Sequence, residues 1–166
     1  MNQQPTVEQQ VARLSAMEDI KQLKVRYWRC VDSKDQAGLE SIFTEDAYFD
    51  ARNSSRNGND KNSESQMLGD DWVWRGNKAI AAAIYQRVAP IVTVHHGHMP
   101  EIEILSETTA RAVWPFEDII ATRRPVGNDL ITMKGYGYYH ETYRRVNGAW
   151  RIATSLITRL HTELYE

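Results

Sequence analysis

The sequence predicts an α+β fold: helices packed in a curved, mostly antiparallel sheet that encloses a pocket, a cone-shaped barrel. Three observations carry this. A long helical periodicity opens the chain, two further helical segments follow before residue 90, and the remainder alternates as strands. Asn147 and Gly148 sit between the last two strand-like runs as a strong hairpin signal. One sheet of that length must curl around the helices, because nothing else is long enough to cover it. The expected organisation is one domain over residues 1–166, with no internal repeat.

Residues 6–31 read as the first helix. Ala16, Ile20, Leu23, Tyr27 and Val31 recur at helical spacing and draw one apolar stripe. Thr6, with Gln9 three residues later, has the pattern of a capping box. A short second helix spans residues 35–43, with Leu39, Ile42 and Phe43 inward, and residues 47–50 form a short strand. Residues 51–70, ARNSSRNGNDKNSESQMLGD, are rich in Asn, Ser, Gly and Asp. A connection of that length in a small domain is a functional flap or a disordered segment. Residues 71–75 are strand-like, Gly76 and Asn77 cap a helix running to Val88, and Pro90 follows its end. Residues 91–105 and 109–122 are two long strands about an LSET turn. Residues 124–129 make a Pro/Gly turn, and strands 131–145 and 149–160 complete the sheet.

The chain is 42% hydrophobic and 25% charged, the balance of a globular protein with a real core. Its formal net charge is -2, and its cations are scattered (Arg26, Arg29, Lys34) or paired (Arg123 with Arg124), which argues against a nucleic-acid partner. No apolar run approaches the roughly 20 residues of a membrane span. The opening MNQQPTVEQQ lacks a signal-peptide core. Cys30 stands alone, which excludes an internal disulfide framework and a CxxC metal or redox site. A reducing cytoplasm is the expected location.

Several side chains could carry chemistry, and for each the residues leave two readings open. Tyr27 lies on the inward stripe: either a core tyrosine or a hydroxyl that donates to a substrate oxygen. Asp32, at the end of the same helix, is disfavoured there by the macrodipole, so it is either exposed or specifically partnered. In VHHGHMP, strand alternation puts His95, Gly97 and Met99 on one face and His96 and His98 on the other. An inward histidine whose second nitrogen meets a carboxylate becomes a general base near neutral pH. Asp32 is the obvious carboxylate for His95 if the fold brings the two together; otherwise His95 is a hydrogen-bonded core residue. His96 and His98 with Glu103 also resemble half of a cupin-type metal set, but a cupin is nearly all β and this chain opens with helices. Asp118 shares a face with Trp114 and Phe116, at the solvent edge or in the pocket. Arg159 shares one with Ala153, Ser155 and Ile157, as an anion clamp or a surface cation. Trp74, Trp114, Phe116 and Tyr138 are pocket wall or core.

The runs YWRCVDSKD (27–35), FTEDA (43–47), WRGNKAI (74–80), VHHGHMPEIEILSETTARAVW (94–114) and ETYRRVNGAWRI (141–152) resemble the SnoaL-like branch of the nuclear-transport-factor-2-like superfamily. The resemblance covers nearly the whole chain, in order. Within it, YWRCVD with HHGHMPEIEI and SETTA looks most like bacterial bile acid 7α-dehydratases, and more distantly like scytalone dehydratase and hexachlorocyclohexane dehydrochlorinase. It implies a cone fold, no cofactor and no metal, and elimination chemistry on a hydrophobic steroid-like, aromatic or polyketide-like molecule. It places catalytic roles on Tyr27, Asp32, His95, Asp118 and Arg159; Trp74, Met99, Trp114, Phe116 and Tyr138 are the substrate-wall candidates read from strand alternation. Met99 stands where relatives often carry a pocket-lining Asn. The same fold also supports isomerases, aldol cyclases and non-catalytic binding modules. The expected partners are a hydrophobic small molecule and further copies of the chain, as a homodimer or homotrimer.

Overall fold

The computed structural model describes residues 4–54, 68–124 and 126–165. Helix α1 (Val7–Ser33) starts at a complete capping box, with the Gln9 N–H donating to Thr6 Oγ1 and the Thr6 N–H to Gln9 Oε1. Its stripe is buried as the spacing requires: Ala16, Ile20, Leu23, Tyr27 and Val31 all lie inside. Removing an Ile or Leu side chain from water contributes roughly 1.5–3 kcal/mol, so this stripe is what fixes α1 against the sheet. Lys34, in the left-handed region at φ 63, ends the helix. Asp35 then caps α2 (Gln36–Ile42) by accepting from the Gly38 N–H at 2.8 Å. Helix α3 (Asn77–Val88) buries Ile80, Ala81, Ala83 and Ile84.

Among the described residues these three helices pack into one curved, unclosed sheet. Its strands are β1 (Phe43–Asn53), β2 (Val73–Arg75), β3 (Ile91–Gly97), β4 (Glu101–Ile104), β5 (Thr109–Thr122), β6 (Leu130–Val146) and β7 (Ala149–Leu164). The order is β2-β1-β7-β6-β5-β3, with β4 also on β5, and every pairing is antiparallel except β1 with β7. Asn147 (φ 51) and Gly148 (φ 80) make the tight β6–β7 turn, as two successive positive-φ residues must in a twisted hairpin. Among the described residues no helix is long and apolar enough to cross a membrane.

Four boundaries differ from the sequence reading. The expected strand over 91–105 is two strands on the same edge of β5, broken at His98, Met99 and Pro100, where proline has no N–H to give. The His98 N–H reaches Pro115 O at 2.9 Å and bridges the break. Asp70–Trp72 is a 3-10 turn, so only Val73–Arg75 of residues 71–75 is strand. Strands β1 and β7 run longer than the 47–50 and 149–160 read from pattern, because β1 pairs with β7 from Phe43 to Asn53 and residues 161–164 of β7 pair with β6. Most of the 51–70 segment lies outside the described residues; 51–53 belong to β1.

Candidate active site

The helices and the inner face of the sheet enclose a cavity of ≈ 340 Å³. Tyr27, Thr93, His95, Asp118, Tyr139 and Arg159 line its polar side, and Phe49, Trp72, Trp74, Ile84, Val88 and Ile91 its apolar side.

The sheet register assembles the polar side. His95 on β3 is directly opposite Asp118 on β5, and Asp118 is directly opposite Gly135 on β6. All three therefore occupy one inward row. The end of α1 meets this row from above. Asp32 Oδ1 lies 2.7 Å from His95 Nδ1, and Asp32 Oδ2 accepts the His95 backbone N–H at 2.9 Å. Thr93, two residues before His95 and so on the same face, donates its hydroxyl to Asp32 Oδ1 at 2.9 Å and accepts from Lys34 Nζ at 2.8 Å. Burial pushes the Asp32 carboxyl up, but the His95 ring and backbone N–H and the Thr93 hydroxyl outweigh it and hold the carboxyl below its ordinary value. Asp32 is thus a carboxylate that accepts only, and His95 Nδ1 is its donor. In the neutral ring that contact fixes the tautomer and puts the lone pair on Nε2, 4.0 Å from Asp118 Oδ2.

Asp118 is held by Arg159 through two parallel bonds of 2.7 Å, Nη1 to Oδ1 and Nη2 to Oδ2, while Nε donates to Ser54 O at 2.6 Å. Both side chains are 5% exposed, so this is a buried, bidentate pair rather than a surface one. Gly135 makes it fit. A Cβ there would fall inside contact distance of both Arg159 Nη1 and Asp118 Oδ1, so Arg159 reaches Asp118 across the missing side chain. Gly135→Ala should therefore cost about 1–3 kcal/mol, the usual penalty of overpacking, and displace the guanidinium from Asp118. Urea unfolding measures the first effect and a crystal structure of the variant the second. An unchanged midpoint with the pair intact would refute the steric argument.

Tyr27 stands edge-on to Tyr139, with ring centroids 5.8 Å apart. Burial raises the pKa of the Tyr27 hydroxyl, as do Tyr139 and the nearby carboxylates, so it remains a proton donor across the neutral range. Beneath both rings lies a group the sequence reading missed. Lys24 Nζ is 3.5 Å from the Tyr139 ring centroid and 4.3 Å from that of Tyr27, and it donates to Glu141 Oε1 at 2.6 Å. Glu141 also accepts from Ser155 at 3.0 Å and from the Tyr143 hydroxyl. One signal was available: Lys24 sits between Ile20 and Trp28 at four-residue spacing, on the buried side of α1.

The structure corrects four of the expected wall residues. Met99 is 85% exposed, because β3 ends at Gly97 and the face it was assigned does not extend to it. Trp114 is core, edge-on to Trp28, with Nε1–H donating to the Tyr143 hydroxyl at 2.8 Å. Phe116 lies behind Tyr139, centroids 4.5 Å apart, and supports the wall without lining it. Tyr138 is on the opposite face of β6, beside His140; its neighbour Tyr139 lines the cavity. Gly135 and Gly137 share Tyr139's alternation, and glycines in a strand mark where something approaches closely. Trp74 lines the cavity. Asp32 and Asp118 are both partnered instead of sitting at a solvent edge. His96 turns outward to Glu117 at 3.3 Å and Glu103 pairs with Arg111, so the cupin-like trio does not converge.

Residues 12–155 match the SnoaL-like domain family. Similar solved structures include a provisionally named scytalone dehydratase of Novosphingobium aromaticivorans, at 19% identity and TM-score 0.72 over 95% of this chain and 92% of that one. A hexachlorocyclohexane dehydrochlorinase of type 2 superposes with TM-score 0.71 at 15% identity, over 95% of this chain and 93% of its own. The type 3 dehydrochlorinase of Novosphingobium barchaimii gives 0.68 at 16%, over 94% of each chain. At these identities the structural likeness speaks for the fold, and the family match covers most of the sequence. This chain belongs to the SnoaL-like domain family.

Proposed function

We propose that the protein is a cofactor-independent lyase that eliminates water from a hydrophobic, steroid-like or aromatic polyketide-like molecule, with His95 and Asp32 as its base dyad. One observation carries the reading: an imidazole clamped at Nδ1 by a carboxylate, with Nε2 open to a largely apolar cavity. Two of the similar structures are named for eliminations, a dehydratase and a dehydrochlorinase.

The chemistry follows from the positions. His95 Nε2 takes a proton from the carbon beside a carbonyl, and the electron pair moves toward the carbonyl oxygen. Tyr27 donates a hydrogen bond to that oxygen. The pair then returns to form the carbon–carbon double bond as the carbon–oxygen bond to the leaving hydroxyl breaks. The imidazolium gives its proton to the departing hydroxide, which leaves as water and restores neutral His95. Asp32 and Asp118 flank the ring and stabilise its transient positive charge. Arg159 anchors Asp118 in that position; its bidentate engagement makes this a better role than the free substrate clamp read from sequence.

The test is a panel of β-hydroxy ketones, half on steroid and half on aromatic polyketide frames, incubated with the full chain and read by mass spectrometry. Loss of one water from a panel member is the expected result. A shifted double bond at constant mass would make the protein an isomerase. Compounds that bind without changing would make it a binding module.

A further inference from the structure

Formal charges around the cavity are nearly balanced. Asp118 and Arg159 neutralise each other, and His95 is backed by Asp32. Arg87, which lines the apolar end from the last turn of α3, is the exception. Its guanidinium carbon is 4.4 Å from the Trp72 ring centroid and 4.4 Å from that of Trp74. Among the described residues Nη1 and Nη2 donate only to backbone, to Ala83 O and Asp71 O, each at 3.2 Å. Nε is buried without a partner. Among the described residues no carboxylate lies within ion-pair distance of it. A guanidinium is charged at every working pH, and a partly desolvated charge without a counterion is costly. Two indoles hold this one in place, and no carboxylate of the described residues cancels its positive charge.

We infer that Arg87 is an anion subsite, and that the cavity takes a ligand with a flat apolar body ending in a carboxylate. The body lies on Phe49, Trp72 and Trp74, and the carboxylate replaces the missing counterion at Arg87. The further statement that the opposite end of such a ligand meets His95 rests on the proposed lyase reading; the subsite itself does not.

Two aromatic probes of one shape separate charge from fit: 2-naphthoate and the neutral 2-naphthamide. Each is titrated into the full chain and followed by tryptophan fluorescence. Naphthoate should bind about tenfold more tightly than naphthamide, the factor that about 1.4 kcal/mol produces. Arg87→Met, which keeps apolar contact with the indoles, should erase that preference and leave naphthamide affinity within about twofold of the parent. Arg87→Gln is the second variant, and circular dichroism checks the fold of both. Should both variants misfold, the parent decides alone, since its naphthoate affinity should fall with added salt and its naphthamide affinity should not. Equal binding of the two probes, binding of neither, or a preference that survives in Arg87→Met would overturn the subsite. None of these outcomes depends on turnover, so an inactive dehydratase panel with an intact naphthoate preference would sink the lyase reading and leave this one standing.

Discussion

Replacing His95 by alanine should lower kcat about 10²–10⁴-fold on whichever panel substrate is dehydrated, the range that one positioned acid–base group supplies. The fold should survive. Asp32 keeps two of its bonds in that variant, from the Thr93 hydroxyl and from the backbone N–H of residue 95, so the end of α1 stays docked. Asp32→Asn probes the same site from the other side. An amide can donate to Nδ1 where the carboxylate could only accept, which would move the proton to Nε2 and remove the lone pair that takes the substrate proton. A loss of similar size is expected, with KM little changed, because neither variant alters the apolar walls. Melting curves and steady-state kinetics on the three proteins check this. Normal turnover by His95→Ala would end the dyad mechanism.

The second large effect concerns stability. Lys24→Met should destabilise the protein by about 3–5 kcal/mol, because it strands a buried carboxylate without its cation. Both members of the pair are fully buried. Burial pulls the Lys24 ammonium down to about 8, against the opposite pull of Glu141. For a chain of this length the loss corresponds to a melting temperature lower by about 6–20 °C. The double variant Lys24→Met/Glu141→Gln should recover part of it: a neutral amide tolerates burial better than a carboxylate and can still bond with Ser155 and Tyr143. A single variant within about 1 kcal/mol of the parent would show that the ion pair contributes little. The same ammonium lies under Tyr139 and Tyr27, so this network is also the floor on which the cavity rests.

Legibility divided along physical lines. Helix α1 was readable almost to the residue, because its stripe and its capping box are set within a few neighbouring positions. Strand β5 and the Asn147–Gly148 turn were readable for the same reason. The chemistry was not readable from spacing. Tyr27, Asp32, His95, Asp118 and Arg159 each had a bland reading at least as good, and only the family resemblance singled them out. Where local pattern met a nonlocal decision it failed. Adjacent Tyr138 and Tyr139 fit either face until Gly135 and Gly137 take their places opposite Asp118 and Phe116. Met99 followed an alternation that Pro100 had already broken.

Sequence alone therefore determined the α+β class, the helix stripe and the hairpin, all products of backbone periodicity and short-range sterics. Tertiary structure alone decided that residues 63 apart form the Asp32–His95 contact, that Arg159 reaches Asp118 over a glycine, and that Lys24 finds Glu141 across 117 residues. The reason is that a strand's period says which residues share a face but not which residue of another strand lies opposite. That register is set by the whole sheet closing on its helices, and the site exists only once it is set.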